Sequence, residues 1–255
     1  GSGTLSRPNG SRYSGEWLNG RRHGKGRFAF PDGRQYDGEW KNDLIDGTGT
    51  MTFPNGETYS GAWKDDLMHG AGTFIFSDGS SCRGDWAYGR MHGAGEYAYA
   101  RGTRYTGRFR DSRRSGTGVM TWPDGSRYEG QWTDDRMEGK GTLRRRDGSV
   151  YTGEFKNDKM NGTGEMRFAD GRLYRGQFTD DAINGTGSMR WPDGRHYTGS
   201  WRNGEMHGVG TMKFRDGKGY SGEWQNGEMH GTGTLTVPKM KPVTGRWENG
   251  EPVGN

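Results

Sequence analysis

Apolar and polar residues alternate along this chain in short bursts that restart at a fixed interval. In Tyr36-Asp37-Gly38-Glu39-Trp40 the rings take every other position and acids stand between them, the period-two pattern of a strand with one polar face. The alternation returns in Gly47-Thr48-Gly49-Thr50-Met51-Thr52-Phe53, with the threonines opposite Gly47, Gly49, Met51 and Phe53. Asn or Asp followed by Gly or Asp, as in Asn19-Gly20 and Asn203-Gly204, begins one connection, and Pro-Asp-Gly at 31–33, 123–125 and 192–194 supplies the other. The pattern predicts two-stranded hairpins and no helix.

The hairpin recurs every 23 residues without insertion or deletion, led by Tyr13, Tyr36, Tyr59, Cys82, Tyr105, Tyr128, Tyr151, Tyr174, Tyr197, Tyr220 and Val243. Three glycine columns accompany the phase residue: Gly15 to Gly245, Gly24 to Gly254, and Gly26 to Gly233. Trp or Phe stands four residues after it, from Trp17 to Trp247. The unit Y-x-G-x-W-x-N/D-x-x-M-H-G-x-G-x-M/F-x-F-P-D-G-x-x resembles the MORN (membrane occupation and recognition nexus) repeat. An uninterrupted array of this kind looks most like the protozoan cytoskeletal MORN scaffolds of apicomplexans and trypanosomatids.

The expected fold is all-β: an elongated single-layer antiparallel sheet of about ten 23-residue hairpins, a rod-like solenoid. Glycine weakens strands, so three columns of it imply space for rings lying across neighbouring strands. Two strands per hairpin at ~4.8 Å spacing give ~9.6 Å per repeat and a rod on the order of 100 Å. Residues 1–12 read as a cloning remnant, from the opening Gly-Ser, and part of a preceding repeat. Ten repeats occupy 13–242, and 243–255 form a degenerate half-repeat or cap that lacks its second strand.

Composition agrees with a thin array. Only 27% of the 255 residues are hydrophobic and 50 are glycine, which argues against a thick core. The 10 Trp, 12 Tyr and 10 Phe at fixed phase argue equally against disorder. No apolar run approaches the roughly 18 residues of a membrane helix, and no signal-peptide pattern opens the chain. Cys82 stands alone, so no disulfide framework exists and a reducing compartment fits. The expected location is cytoplasmic, with the cytoskeleton and at the membrane periphery.

A single layer leaves its apolar face without a second sheet. The rings either pack on one another or line a partner groove, for which Tyr128, Trp132, Tyr151, Phe155, Tyr174 and Phe178 are the candidates. Charge supplies a second surface. From Arg101 to Arg146 there are 12 Lys or Arg against 6 Asp or Glu, whereas the whole chain carries only +5. Arg110, Arg113, Arg114, Arg136, Arg144, Arg145 and Arg146 form the candidate anionic-ligand patch, for phosphorylated lipid headgroups or an acidic protein tail. Nucleic acid is disfavoured because the strip is short.

Other chemistry fails on context. His23, His69, His92, His207 and His230 share a column, but equivalent side chains start ~9.6 Å apart. The metal reading that survives is an intermolecular zinc site using Cys82 or one of His207 and His230. Capping of the hairpin loop is the simpler role for the column. Gly217-Lys218-Gly219-Tyr220-Ser221-Gly222 fits the dinucleotide fingerprint by letters but leads into a strand, not a helix. No nucleophile, base and acid stand outside the repeat pattern, so neither a catalytic site nor a cofactor is expected.

After Leu235 the pattern decays through Pro238, Lys239 and Pro242. The MORN resemblance implies dimerisation through C-terminal repeats, which carries Tyr197, Trp201, Tyr220, Trp224 and Trp247 as interface candidates. The functional expectation is a non-enzymatic, self-associating scaffold with cytoskeletal partners. A peripheral phosphoinositide-binding module is the alternative.

Overall fold

The structure is a computed structural model in which residues 1–253 are described; Gly254 and Asn255, the first assigned above to a glycine column, lie outside the described residues. The chain forms two compact units, one of residues 1–123 with 132–135 and the other of 124–131 with 136–255. Each is built the same way. A seven-residue strand such as Gln35–Lys41 turns into a nine-residue strand such as Leu44–Thr52, and the next hairpin follows antiparallel. Among the described residues there is no helix. The hairpins predicted from alternation are therefore the observed elements, in a single layer within each unit.

The narrow connection is a two-residue turn in which both residues take positive φ, as Asn42 at 51° and Asp43 at 74° do. Asn, Asp and Gly adopt that geometry most cheaply, and they fill these turns except at Tyr88 and Ser112. Beyond the turn the register slips between Gly38 and Trp40, a bulge at which Gly47 reaches a φ of 117°. Side chains of the first strand seal the amides such bulges leave open. Gln131 Oε1 accepts from the Lys140 amide at 2.8 Å, and Glu154 Oε1 accepts from the Thr163 amide at 3.4 Å and from its hydroxyl at 2.7 Å.

The core is a layer of rings over paired glycines. Tyr36 lies across Gly38 and Gly49, and its hydroxyl donates to the Glu39 carbonyl at 3.1 Å. Trp40 meets that ring edge-on at 5.3 Å and Trp63 of the next hairpin does so at 5.6 Å, so Tyr36 is clamped from both hairpins; Phe takes the same places elsewhere, as Phe155 and Phe178 do around Tyr151. Every such indole also donates to a carbonyl of the preceding hairpin, as Trp63 does to Gly49 at 3.2 Å. Ring packing and hydrogen bonding thus join successive hairpins across the same seam.

Ser2–Ser6 forms a strand paired to Arg12–Leu18, the place a preceding repeat's last strand would take. The other end departs from expectation: the last hairpin does have a second strand, Glu251–Val253 on Val243–Glu248.

Candidate interaction face

The rings named as a partner groove are the core. Tyr128, Tyr151 and Tyr174 are 0% exposed, and Trp132, Phe155 and Phe178 are 3% exposed. The five aromatic residues named for dimerisation are buried as well. The alternation identified the face correctly, but the glycine-deep seating draws these rings below the surface. Burial pushes the hydroxyls of Tyr59, Tyr105, Tyr151, Tyr174 and Tyr197 up to about 12.

What remains accessible on that face lies along two banks. One begins each nine-residue strand, with Arg22, Met68, Met137, Met206 and Met229 half-buried. The other runs into the wide turn, with Phe28, Phe30, Phe53, Phe74 and Phe76 half-buried. Between them in the first unit lies a groove of about 460 Å³ touched by Phe28, Phe53, Trp63, Leu67 and Met68. The opposite face is polar, with hydroxyl pairs such as Thr50 and Ser60 at 2.8 Å.

Arginine enters this face in two different ways. Arg22 lies 4.2 Å over Trp40, its Nε meets Asp43 at 3.2 Å, and the amide of Arg22 followed by its guanidinium holds the Asp43 carboxyl below its usual range. Arg114 reproduces this, 4.5 Å over Trp132 with Nε 3.1 Å from Asp135. Assigned above to an anionic-ligand patch, Arg114 is committed internally instead. The signal was present in the sequence, since Arg22 and Arg114 share a column and each precedes a Trp and an Asp at the same offsets.

The other members of that patch fall in both units. Arg110 stands opposite Arg113 in the hairpin, and Arg113 meets Asp134 at 3.7 Å. In the second unit Arg136 donates to Asn157 at 2.8 Å, and Arg145 turns toward the Met160 sulfur at 3.8 Å. Arg144 and Arg146 are exposed, and among the described residues neither they nor Arg145 has a carboxylate at ion-pair distance.

Cys82 is 2% exposed and burial pushes its thiol up to about 11, so it cannot join a site on another molecule. Nor do the histidines cap the loops. That work falls to the second turn residue, which reaches the preceding hairpin: the Asp43 amide donates to the Arg22 carbonyl and its Oδ1 accepts from the Arg22 amide, both at 3.0 Å. Asp66, Asp135, Asp158 and Asp181 repeat the pair of bonds.

A run of identical hairpins, each depending on the next for its core, with half-exposed apolar banks above that core, defines a tandem β-repeat protein. The chain belongs to the MORN repeat family, whose pattern matches residues 13–33, 36–58, 59–81, 82–104, 105–127, 128–150, 151–171, 174–194, 197–219 and 220–238. This is a family of non-enzymatic repeat scaffolds for protein interaction. No curated protein matches the chain. Among solved structures it is similar to the TCP domain of SAS-4 (dCPAP) of Drosophila melanogaster in complex with a proline-rich motif of Ana2, at 14% identity and a TM-score of 0.34, covering 78% of this chain and 90% of that one. The TCP10 domain of Danio rerio CPAP with a STIL peptide matches at 14% identity and a TM-score of 0.25, covering 97% and 95%. No function is assigned to this chain from likenesses of that size.

Proposed function

We propose that this chain is a self-associating scaffold that organises a cytoskeletal or membrane-associated structure and takes protein partners along the two banks of its apolar face. The observation that carries this reading is the half-exposed strip of Phe and Met above a ring layer that is already sealed. The inner rings meet the demands of folding without the strip, and a long accessible apolar strip is characteristic of interaction surfaces. Self-association through 197–255 is favoured by exposed apolar side chains there: Val209 at 67%, Met240 at 66% and Val243 at 57%.

Light scattering on the chain with and without residues 220–255 tests the assembly. A dimer mass that falls to the monomer on truncation is expected, and monomers in both samples would reject self-association. A photocrosslinker at Phe53 is expected to capture partners in cells that one at Thr50 does not; the reverse result would reject the apolar face.

A second reading, binding of anionic lipid headgroups, is favoured by Arg144, Arg145 and Arg146, none of which has a carboxylate at ion-pair distance among the described residues. Flotation with vesicles that contain phosphoinositide, but not with neutral vesicles, is its expected result. Protein that stays at the bottom of both gradients would discard it.

A further inference from the structure

The first unit carries an aromatic arrangement that differs from the rest of the chain. Phe53, Phe74, Phe76, Tyr97 and Tyr99 follow one another with centroids 5.8, 4.6, 5.7 and 4.4 Å apart and planes only 31° to 43° from parallel. The buried tyrosines, by contrast, meet their neighbours nearly edge-on, as Tyr59 does Trp63 at 90°. A substitution accompanies the difference: the strand between Phe74 and Tyr97 places Cys82 opposite both, where other repeats have a tyrosine. All five rings keep accessible surface, and Tyr99 is 37% exposed.

These rings also lack a cover found elsewhere. Arg34, Arg172 and Arg195 lie 4.6, 4.5 and 5.1 Å over Phe30, Phe168 and Trp191, the aromatic residues that open their turns. Glu57, Ser80 and Thr103 occupy the arginine's place beside Phe53, Phe76 and Tyr99. No guanidinium lies over Phe53, Phe76 or Tyr99, and the surface these rings do not cover for one another is open to an outside group.

We infer that this ladder binds a proline-rich segment carrying basic residues, in the polyproline II conformation. The inference rests on the partner-binding reading above and names the class of partner. Spacing decides the conformation. Equivalent rings recur once per hairpin, ~9.6 Å, and a polyproline II helix repeats every three residues, ~9.3 Å. An added β-strand repeats its side chains at ~6.7 Å, and an α-helix advances ~10.5 Å per seven residues. Across the two intervals from Phe53 to Tyr99 the polyproline helix stays within ~0.6 Å of register, while the α-helix drifts ~1.8 Å. Aromatic grooves hold such helices by stacking prolines on ring faces, with little ordering cost because the ligand is already extended.

Charge decides the composition. Residues 53–86 carry Glu57, Asp65, Asp66, Asp78 and Asp85 against Lys64 and Arg83, in a chain of net +5. Lys64 is taken by Asp46 at 2.8 Å, and Glu57, Asp65, Asp66 and Asp78 have no cation at ion-pair distance among the described residues. Arg90 and Arg101 lie toward the Tyr97–Tyr99 end. The basic residues of the bound segment accordingly sit at the Phe53–Phe76 end.

Fluorescence anisotropy with three labelled peptides of equal length tests this: a repeated Pro-Pro-Arg, a repeated Gly-Gly-Arg of identical charge, and a basic amphipathic helix. The proline peptide is expected to bind about tenfold more tightly than the glycine peptide. The double substitution Phe76→Ala and Tyr99→Ala is expected to remove that advantage. Glu57→Gln with Asp65→Asn, surface changes that leave the rings in place, is expected to weaken binding about fivefold with an unchanged circular dichroism spectrum. Equal binding of the proline and glycine peptides, or indifference to both sets of substitutions, would overturn the inference. Binding of the helix alone would overturn it too while sustaining the partner-binding reading. Silence from all three peptides would do the same, unless crosslinking at Phe53 also fails, in which case both readings fall.

Discussion

A single methyl group tests the packing at the residue scale. A Cβ on Gly49 would fall on the hydroxyl and ring of Tyr36, which Trp40 and Trp63 hold from both sides. Gly49→Ala is expected to destabilise the fold by about 1–3 kcal/mol, the cost of overpacking a site that cannot expand. Gly245 offers a control from the glycine column that pairs with Gly49's, because its repeat has Val243 in place of tyrosine and nothing lies near the added atom. Gly245→Ala should be neutral or stabilising by a few tenths of a kcal/mol. Urea unfolding followed by tryptophan fluorescence compares the two, and equal losses would show that the ring does not explain the glycines. The columns and their purpose were legible in the sequence, since glycine at strand positions demands a tenant for the space. Which rings remain accessible was not legible. Alternation assigns Tyr and Trp to a face, but coverage comes from the next hairpin's tryptophan, whose approach depends on bulge and turn geometry.

At the scale of the hairpin, the seam between loops is the feature the pattern concealed. Asp43 reads locally as a turn former, and it is one, with its φ of 74°. Its carboxylate, however, serves an amide 21 residues earlier, a relation no local motif displays. The histidine column attracted the capping role because it stands just ahead of the second glycine column, whereas the residues that perform it change between Asp, Ser and Gly. In the last three turns Gly204, Gly227 and Gly250 keep only the backbone bond to the previous hairpin. Asp43→Gly therefore removes one acceptor, keeps a residue suited to the positive φ, and leaves a framework these later repeats already tolerate. The expected loss is about 1 kcal/mol, accompanied by faster hydrogen exchange at the Arg22 amide and little change at Met206, whose loop is built without the carboxylate. Unchanged exchange at Arg22 would show that the seam contributes nothing.

For the molecule as a whole, the recurrence of one buried group makes stability depend on pH in a single direction. Nine tyrosines are fully buried, and those of Tyr59, Tyr105, Tyr151, Tyr174 and Tyr197 are raised to about 12 by loss of solvation from an ordinary value of 10.0. A raised folded value means that the unfolded chain releases these protons first. The contribution is complete below pH 10 and is lost as the pH climbs from there through about 12. Because each ring is clamped between two hairpins, ionising one loosens the seats of its neighbours, and the repeats should open together within that interval. Phenolate absorbance and the far-ultraviolet strand signal, recorded on one titration, should change in step between pH 10 and 12. A gradual phenolate titration centred at 10.0 with the strand signal intact would mean that the rings are reached by solvent while the sheet persists, and the sealed ring layer would be wrong.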